Sequence, residues 1–223
     1  MTDAAASVAS HRIAGELRAA ILDGRYPPGT RIRQEDLAAQ AGASRIPVRE
    51  ALRELAAEGL VTLVANSGAW VTRLTMQQCD EAYLVRERLE PLLLRLSLPG
   101  LDGAVIARLG ELAKEMEQAP DVAAFLRADR EFHLAGYAGA PRGEAWGIIS
   151  RLWNATQHCR REFTRLAAGR GGGPGAGLSV THLEHRLLLD AIARRDADDA
   201  ERALVTHIRR TRLELARHPE VFG

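Results

Sequence analysis

Apolar residues in this chain change their period near residue 75. Before that point, short helical patterns give way to two runs that alternate as strands do. Beyond it only helical spacing is left, through to the last residues. One core does not readily serve both regimes, so the pattern predicts two domains, 1–75 and 76–223.

In the first stretch Ser10 is placed to cap a helix whose apolar positions Ile13, Leu17, Ala20 and Ile21 recur at helical spacing, with Gly24 ending it. Tyr26-Pro27-Pro28-Gly29 reads as a turn. A short helix over Gln34 to Ala41 follows, anchored by Leu37 and Ala38 and broken by Gly42. Ser44 then caps a third helix, with Pro47 inside the first turn, where its missing N–H does no harm. Gly59 stops that helix. Leu60 to Val64 and Ala69 to Thr72 are two strands around the turn Asn66-Ser67-Gly68.

Thr75 and Gln78 have the spacing of a capping box that opens a long helix at Met76. Five further helical stretches are expected at about 103–118, 122–138, 144–167, 180–195 and 197–217. The expected fold is mainly α. A winged helix-turn-helix of three helices and a β-hairpin wing is joined to an all-α antiparallel bundle of about six helices.

Bulk charge says little about partners. The chain carries net charge +1, and residues 1–75 hold nine Arg against eight Asp or Glu. A case for nucleic acid therefore rests on where the arginines sit. No apolar run reaches the roughly 18 residues that cross a bilayer, and Met1 to Ser10 lacks the basic start and apolar core of a secretory signal. With only Cys79 and Cys159, no disulfide framework is expected, and a reducing cytoplasm is the expected setting.

On the third helix Val48, Ala51, Leu52 and Leu55 form one stripe. Arg45, Arg49 and Arg53 form another, about 110° away at about 100° per residue. One face can pack inward while three guanidiniums project toward bases or phosphates, for which Arg is suited. Ser44 and the positive end of the helix suit a phosphate. The alternative is a solvated face, the arginines pairing with Glu50 and Glu54. The hairpin after Gly59 favours the first reading, because it supplies a wing whose tip can reach the minor groove or backbone.

The stretch Ile21-Leu22-Asp23-Gly24, Pro28-Gly29-Thr30, Leu37-Ala38, Ser44-Arg45-Ile46-Pro47-Val48-Arg49-Glu50-Ala51-Leu52-Arg53, Glu58-Gly59-Leu60-Val61 and Asn66-Ser67-Gly68 resembles the GntR family of regulators. The resemblance implies operator contacts from Arg45 and Arg49 and places Gly68, at the wing tip, against the DNA.

The second half has no nucleophile elbow, no Cys-x-x-Cys pair and no His-Glu-x-x-His. Gly171-Gly172-Gly173-Pro174-Gly175 follows a helix and contains no Lys, so it reads as a helix connection rather than a phosphate loop. Asp129 and His133 lie four apart on one helix and share a face. His185 and His207 fall on two later helices that an antiparallel turn at Asp196 would bring side by side. Three imidazoles and a carboxylate suit Zn, Ni or a similar divalent ion, while histidines scattered on helices equally suit surface or packing roles.

Arg86-x3-Glu90, Asp129-x3-His133, Glu184-His185 and His207-Ile208 resemble the FadR-type ligand-binding domain called FCD, over nearly all of 76–215. That resemblance implies a divalent metal ion, Zn or Ni, held by Asp129, His133, His185 and His207, with a small carboxylate effector completing its coordination. His182 is a competing ligand. Arg86 is a candidate to grip the effector carboxylate, with an i,i+4 pair to Glu90 as the alternative. Cys159 reads as a packed thiol. The combined expectation is a homodimeric regulator of double-stranded operator DNA that senses a small metabolite, neither an enzyme nor a membrane protein. A metal-dependent hydrolase is the alternative from another class, without a general base at an evident spacing, and a regulator whose helical half holds no metal is the other alternative.

Overall fold

Two helices joined by three residues need a sharp backbone reversal, and Gly42 supplies it. It lies in the left-handed region (φ 58°, ψ 36°), and its N–H reaches the carbonyls of Ala38 and Ala39. On either side, in a computed structural model that describes residues 3–65, 67–169 and 176–222, stand α2 (Gln34–Ala41) and α3 (Arg45–Ala57). The chain divides into two units, Met1–Leu74 with Ser150–His158, and Thr75–Ile149 with Cys159–Gly223.

In the first unit α1 (Asp3–Leu22) packs on α3, and Ile13, Leu17, Val48, Ala51, Leu52, Leu55, Leu60 and Val71 are buried in one core. Arg18 of α1 clasps α3 with Nε to Glu58 at 2.7 Å and Nη2 to Glu54 at 2.8 Å. The wing is β2 (Val61–Val64) antiparallel to β3 (Gly68–Val71), with Val61 opposite Val71 and Val64 opposite Gly68. Asn66 of the expected hairpin turn lies outside the described residues.

Two features depart from expectation. Ser10 does not start α1 but sits inside it, its hydroxyl donating to the Ser7 carbonyl at 2.9 Å. The alanines before it are strong helix formers and carry the helix back to Asp3. A third strand, β1 (Arg31–Ile32), pairs with β3 through Arg31 opposite Trp70 and Ile32 opposite Ala69. Two residues carry no periodic signal, so pairing rather than pattern makes this strand.

In the second unit α4 (Met76–Ser97) opens with the expected capping box: Gln78 N–H donates to Thr75 Oγ1 at 3.2 Å, and Thr75 N–H donates to Gln78 Oε1 at 2.9 Å. It is followed in the chain by α5 (Gly103–Glu117), α6 (Val122–Gly136), α7 (Glu144–Ala155), α8 (Gln157–Gly169), α9 (Ser179–Ala193) and α10 (Ala197–Ala216), of which the end of α7 and the first residues of α8 fall in the first unit. Asp102, Asp121 and Asp196 cap α5, α6 and α10. α10 lies along α4, α5 packs on α6, and α9 packs on both α10 and α5.

The expected stretch 144–167 is two helices, broken at the fully buried Thr156, whose hydroxyl donates back to the Leu152 carbonyl at 2.7 Å. A hydroxyl that competes for an i−4 carbonyl bends a helix. The glycine run 171–175 lies outside the described residues. No helix among the described residues is long and apolar enough to cross a membrane.

Beyond α6, Gly139 lets two backbone segments touch. Its N–H donates to Ser97 Oγ at 2.9 Å, and a Cβ there would lie 2.3 Å from the Ser97 carbonyl oxygen. Gly139→Ala should therefore lower unfolding free energy by about 1–3 kcal/mol, as overpacking does. Urea unfolding checks this; an unchanged midpoint would show that the segments separate without cost.

Candidate functional site

The second unit brings several of its buried polar residues to one place. α6 carries Asp129, His133 and, one residue beyond its end, Tyr137, a row spaced by four. α9 supplies His185 and α10 supplies His207. Asp129, His133, His185 and His207 are all buried, and their candidate ligand atoms lie within 4.8 Å of one another. His185 Nε2 stands 3.2 Å from Asp129 Oδ1 and 3.3 Å from His133 Nε2. Residues from three helices, as distant in sequence as Asp129 and His207, thus meet at one point.

What surrounds the rings fixes their protons. The Nδ1 of His185 faces the Thr181 carbonyl at 2.9 Å, and that of His207 faces a carboxylate oxygen of Glu184 at 2.8 Å. Both acceptors can only accept, so both Nδ1 atoms carry hydrogen. His133 Nδ1 meets the Tyr137 hydroxyl at 3.3 Å, and that hydroxyl donates to Glu90 Oε2 at 2.6 Å, leaving its oxygen to accept from His133. Burial and the Glu90 charge push the Tyr137 pKa well above its ordinary value, so this donor keeps its proton. Each outward nitrogen is thus a donor, and each inward Nε2 is left with its lone pair.

Burial pulls His133 well below the ordinary histidine range and also lowers His207. Burial opposes ionisation of Asp129 as well. Contact with His185 and His133 and the charge of Arg160 outweigh it and hold the carboxyl well below its usual range. Neutral imidazoles and an ionised carboxylate are the forms that ligate a cation. Lone pairs and a carboxylate at these separations repel unless something positive lies between them, so the residues present fit a divalent metal ion.

Two further ion pairs complete the cluster. Arg160 Nη1 donates to Asp129 Oδ2 at 3.2 Å, and Arg210 grips Glu184 through Nε at 2.5 Å and Nη2 at 2.6 Å. Arg86, expected either at the effector or on Glu90, is buried with its Nε bonded to Glu90 Oε1. Its guanidinium lies over Tyr83, 4.7 Å from the ring centroid. Through Glu90 and Tyr137 it belongs to the network that orients His133.

His182 is outside the four-residue group; its ring meets Phe125 edge-on at 5.8 Å. Cys159 is a buried free thiol beside Cys79. Sequence reading missed Tyr137, Thr181, Arg160 and Arg210, and noted Glu184 without a role. Glu184 adjoins His185 in sequence but serves His207, so spacing gives no sign of the pairing.

The first unit presents the other candidate surface. Arg45, Arg49 and Arg53 are all exposed on α3. Arg45 reaches Glu35 at 3.3 Å and Arg53 reaches Glu50 at 2.6 Å, whereas Arg49 has no ion pair or hydrogen bond among the described residues. Glu54, the other expected partner, is taken by Arg18. The Ser44 hydroxyl does not cap its own helix. Gly68 opens β3 with φ 126°, and Arg31 braces the wing by donating to the Ser67 carbonyl at 2.9 Å.

Two family models match the chain: bacterial regulatory proteins, gntR family, over residues 9–71, and the FCD domain over residues 81–210. A probable D-xylose utilization operon transcriptional repressor of Paenarthrobacter nicotinovorans is 33% identical over 190 residues, covering 84% of this chain and 80% of its own. The Nta operon transcriptional regulator of Aminobacter aminovorans is 27% identical, covering 83% of this chain and 84% of its own. Among solved structures, E. coli McbR/YncC is similar with a TM-score of 0.78 at 25% identity, covering 94% of this chain and 98% of that one.

Burial opposes the charge of Glu184, but hydrogen bonds from His207 and Arg210 outweigh it and hold its pKa down to about 2, against an ordinary value of 4.5. A carboxyl with a depressed folded pKa stabilises fully above the unfolded value and loses that contribution as pH falls through the folded one. Wild type should therefore lose stability between pH 4.5 and about 2. Glu184→Gln should have a shallower dependence in that window. Urea midpoints measured across it decide; equal slopes would count against the pairing.

Proposed function

Because the chain belongs to the gntR family of bacterial regulatory proteins and carries an FCD domain, it is a DNA-binding transcriptional regulator and not an enzyme, and we propose that a small metabolite bound in its helical half sets its affinity for an operator. In this reading two copies bind a roughly palindromic double-stranded operator in the bacterial cytoplasm. Ser44, Arg45, Arg49, Arg53 and Gly68 make the DNA contacts. The observation that carries the sensing half is the convergence of buried His133, His185 and His207 on the Asp129 carboxyl.

Asp129, His133, His185 and His207 would hold a divalent ion, Zn or Ni, which supplies positive charge and open coordination positions. The charge count favours an anion as the effector. Glu90, Asp129 and Glu184 are already matched by Arg86, Arg160 and Arg210. A divalent ion would leave a buried excess of positive charge, and uncompensated buried charge is costly. A carboxylate answers that excess; a grip by Arg86 would require its guanidinium to be shared with Glu90. A coupling of about 1–3 kcal/mol would change operator affinity five- to 150-fold.

Protein purified without a metal-affinity tag, stripped with chelator and reloaded with Zn(II) or Ni(II), should retain one ion per chain. His133→Ala should lose the ion, and Glu184→Gln should weaken it about 10- to 100-fold, as outer-shell changes do. In anisotropy titrations on the promoter upstream of the protein's own gene, Arg49→Ala should lose sequence preference while keeping weak, salt-sensitive binding. His133→Ala should change only the response to metal and metabolites. A wild type that retains no ion, or binds all DNA alike, would overturn the corresponding half of this reading.

A further inference from the structure

Ile46 is 68% exposed on α3, in the first turn of the helix, between Arg45 and Pro47. A lone exposed apolar side chain is ordinary on a protein surface. Its position is the informative part. At about 100° per residue, Ile46 projects about 170° from the mean direction of the buried Pro47, Val48, Ala51, Leu52 and Leu55, the centre of the outward face. Arg49 and Arg53 follow it at i+3 and i+7 on that face. A branched apolar side chain is thus held out among charged groups, Arg49 and Arg53 with Glu50 at i+4, with nothing apolar from its own helix beside it.

We propose that Ile46 is a specificity-determining residue that reads the 5-methyl group of a thymine in the major groove. This rests on the DNA-binding role of α3 given above and adds to it a base that the arginines do not choose. In a helix-turn-helix the residues at the N-terminal end of the second helix meet base edges. Arginine there selects guanine edges or phosphates, and the thymine methyl is the one apolar feature of the major-groove code. Ile46 has no donor or acceptor, so it distinguishes thymine only by apolar contact. Its backbone lies within the helix that carries Arg49, so its reach toward a base pair is fixed by the same docking.

The test begins with selection from a random double-stranded DNA pool by the full-length wild-type protein, which yields the preferred operator. Each thymine of that operator is then replaced in turn by deoxyuridine, which removes the methyl group and leaves base pairing intact. For wild type, one replacement in each half-site should weaken binding about fourfold, the worth of burying one carbon group. Ile46→Ala should bind thymine and uracil operators equally, at about the affinity of wild type for the uracil operator. Its melting temperature should be unchanged, since the side chain is exposed.

The proposal is overturned if no replacement affects wild type, or if Ile46→Ala shows the same losses as wild type. Failure of the underlying reading looks different: the pool then yields no enriched sequence at all, and this inference falls with it.

Discussion

Three contacts at the outer ring nitrogens organise the buried cluster of the helical half. Each Nδ1 hydrogen is committed to an outer acceptor: a main-chain carbonyl for His185, a carboxylate for His207 and a tyrosine hydroxyl for His133. Were the outer acceptors absent, the rings could exchange tautomers and hydrogen-bond one another, and the cluster would satisfy itself. With them present, His185 and His133 face each other through Nε2 atoms 3.3 Å apart, beside an ionised Asp129. Buried away from water, such a set is costly until a cation shares it. The sequence economy behind this is considerable. The row 129, 133, 137 puts ligand, ligand and support on one stripe of α6, and Thr181 supports His185 from one turn before it on α9.

The arginines of the two units separate by burial rather than by number. On α3 the pairs Arg45–Glu35 and Arg53–Glu50 are exposed on both sides, and such pairs are worth about 0–1 kcal/mol. They can be given up for phosphate at little cost. Arg18 is only about one-third exposed and bridges α1 to Glu54 of α3 and to Glu58 just beyond its end, so it belongs to the frame. In the helical half Arg86 and Arg160 are buried, where removing one partner leaves an unpaired charge. The same residue type therefore serves three purposes, and charge composition alone could not sort them.

Much of this arrangement is legible in the residues themselves. Helix limits at Gln34–Ala41 and the capping box at Thr75 follow from local chemistry that tertiary packing did not override. The four residues Asp129, His133, His185 and His207 are marked by spacing and by family resemblance, and they converge. The groups that give the convergence its meaning are not marked. Glu184 is next to one histidine and serves another, Tyr137 acts through Glu90 from a separate helix, and Arg160 stands in an Arg-Arg pair of no evident period. Strand β1 escaped because two residues pair with a distant strand, and the break at Thr156 because a single hydroxyl's choice of the i−4 carbonyl leaves no trace in the apolar period.

A regulator needs a site whose occupancy changes something elsewhere, and a ligand can shift an equilibrium only by its differential affinity for two states. A site of buried, mutually matched charges suits this. Breaking one buried pair costs about 3–5 kcal/mol, more than the 1–3 kcal/mol typical of coupling between sites. On the proposed reading, an anion that completed such a site would have more interaction energy at stake than regulation consumes. Only a fraction has to depend on conformation for operator affinity to change by orders of magnitude. What limits the response is then geometry: whether the anion reaches its charged partners equally well in both states. Arg86, tied through Glu90 and Tyr137 to the ring of His133, is placed where such a difference would register, because moving its guanidinium disturbs the acceptor that fixes a ligand's proton.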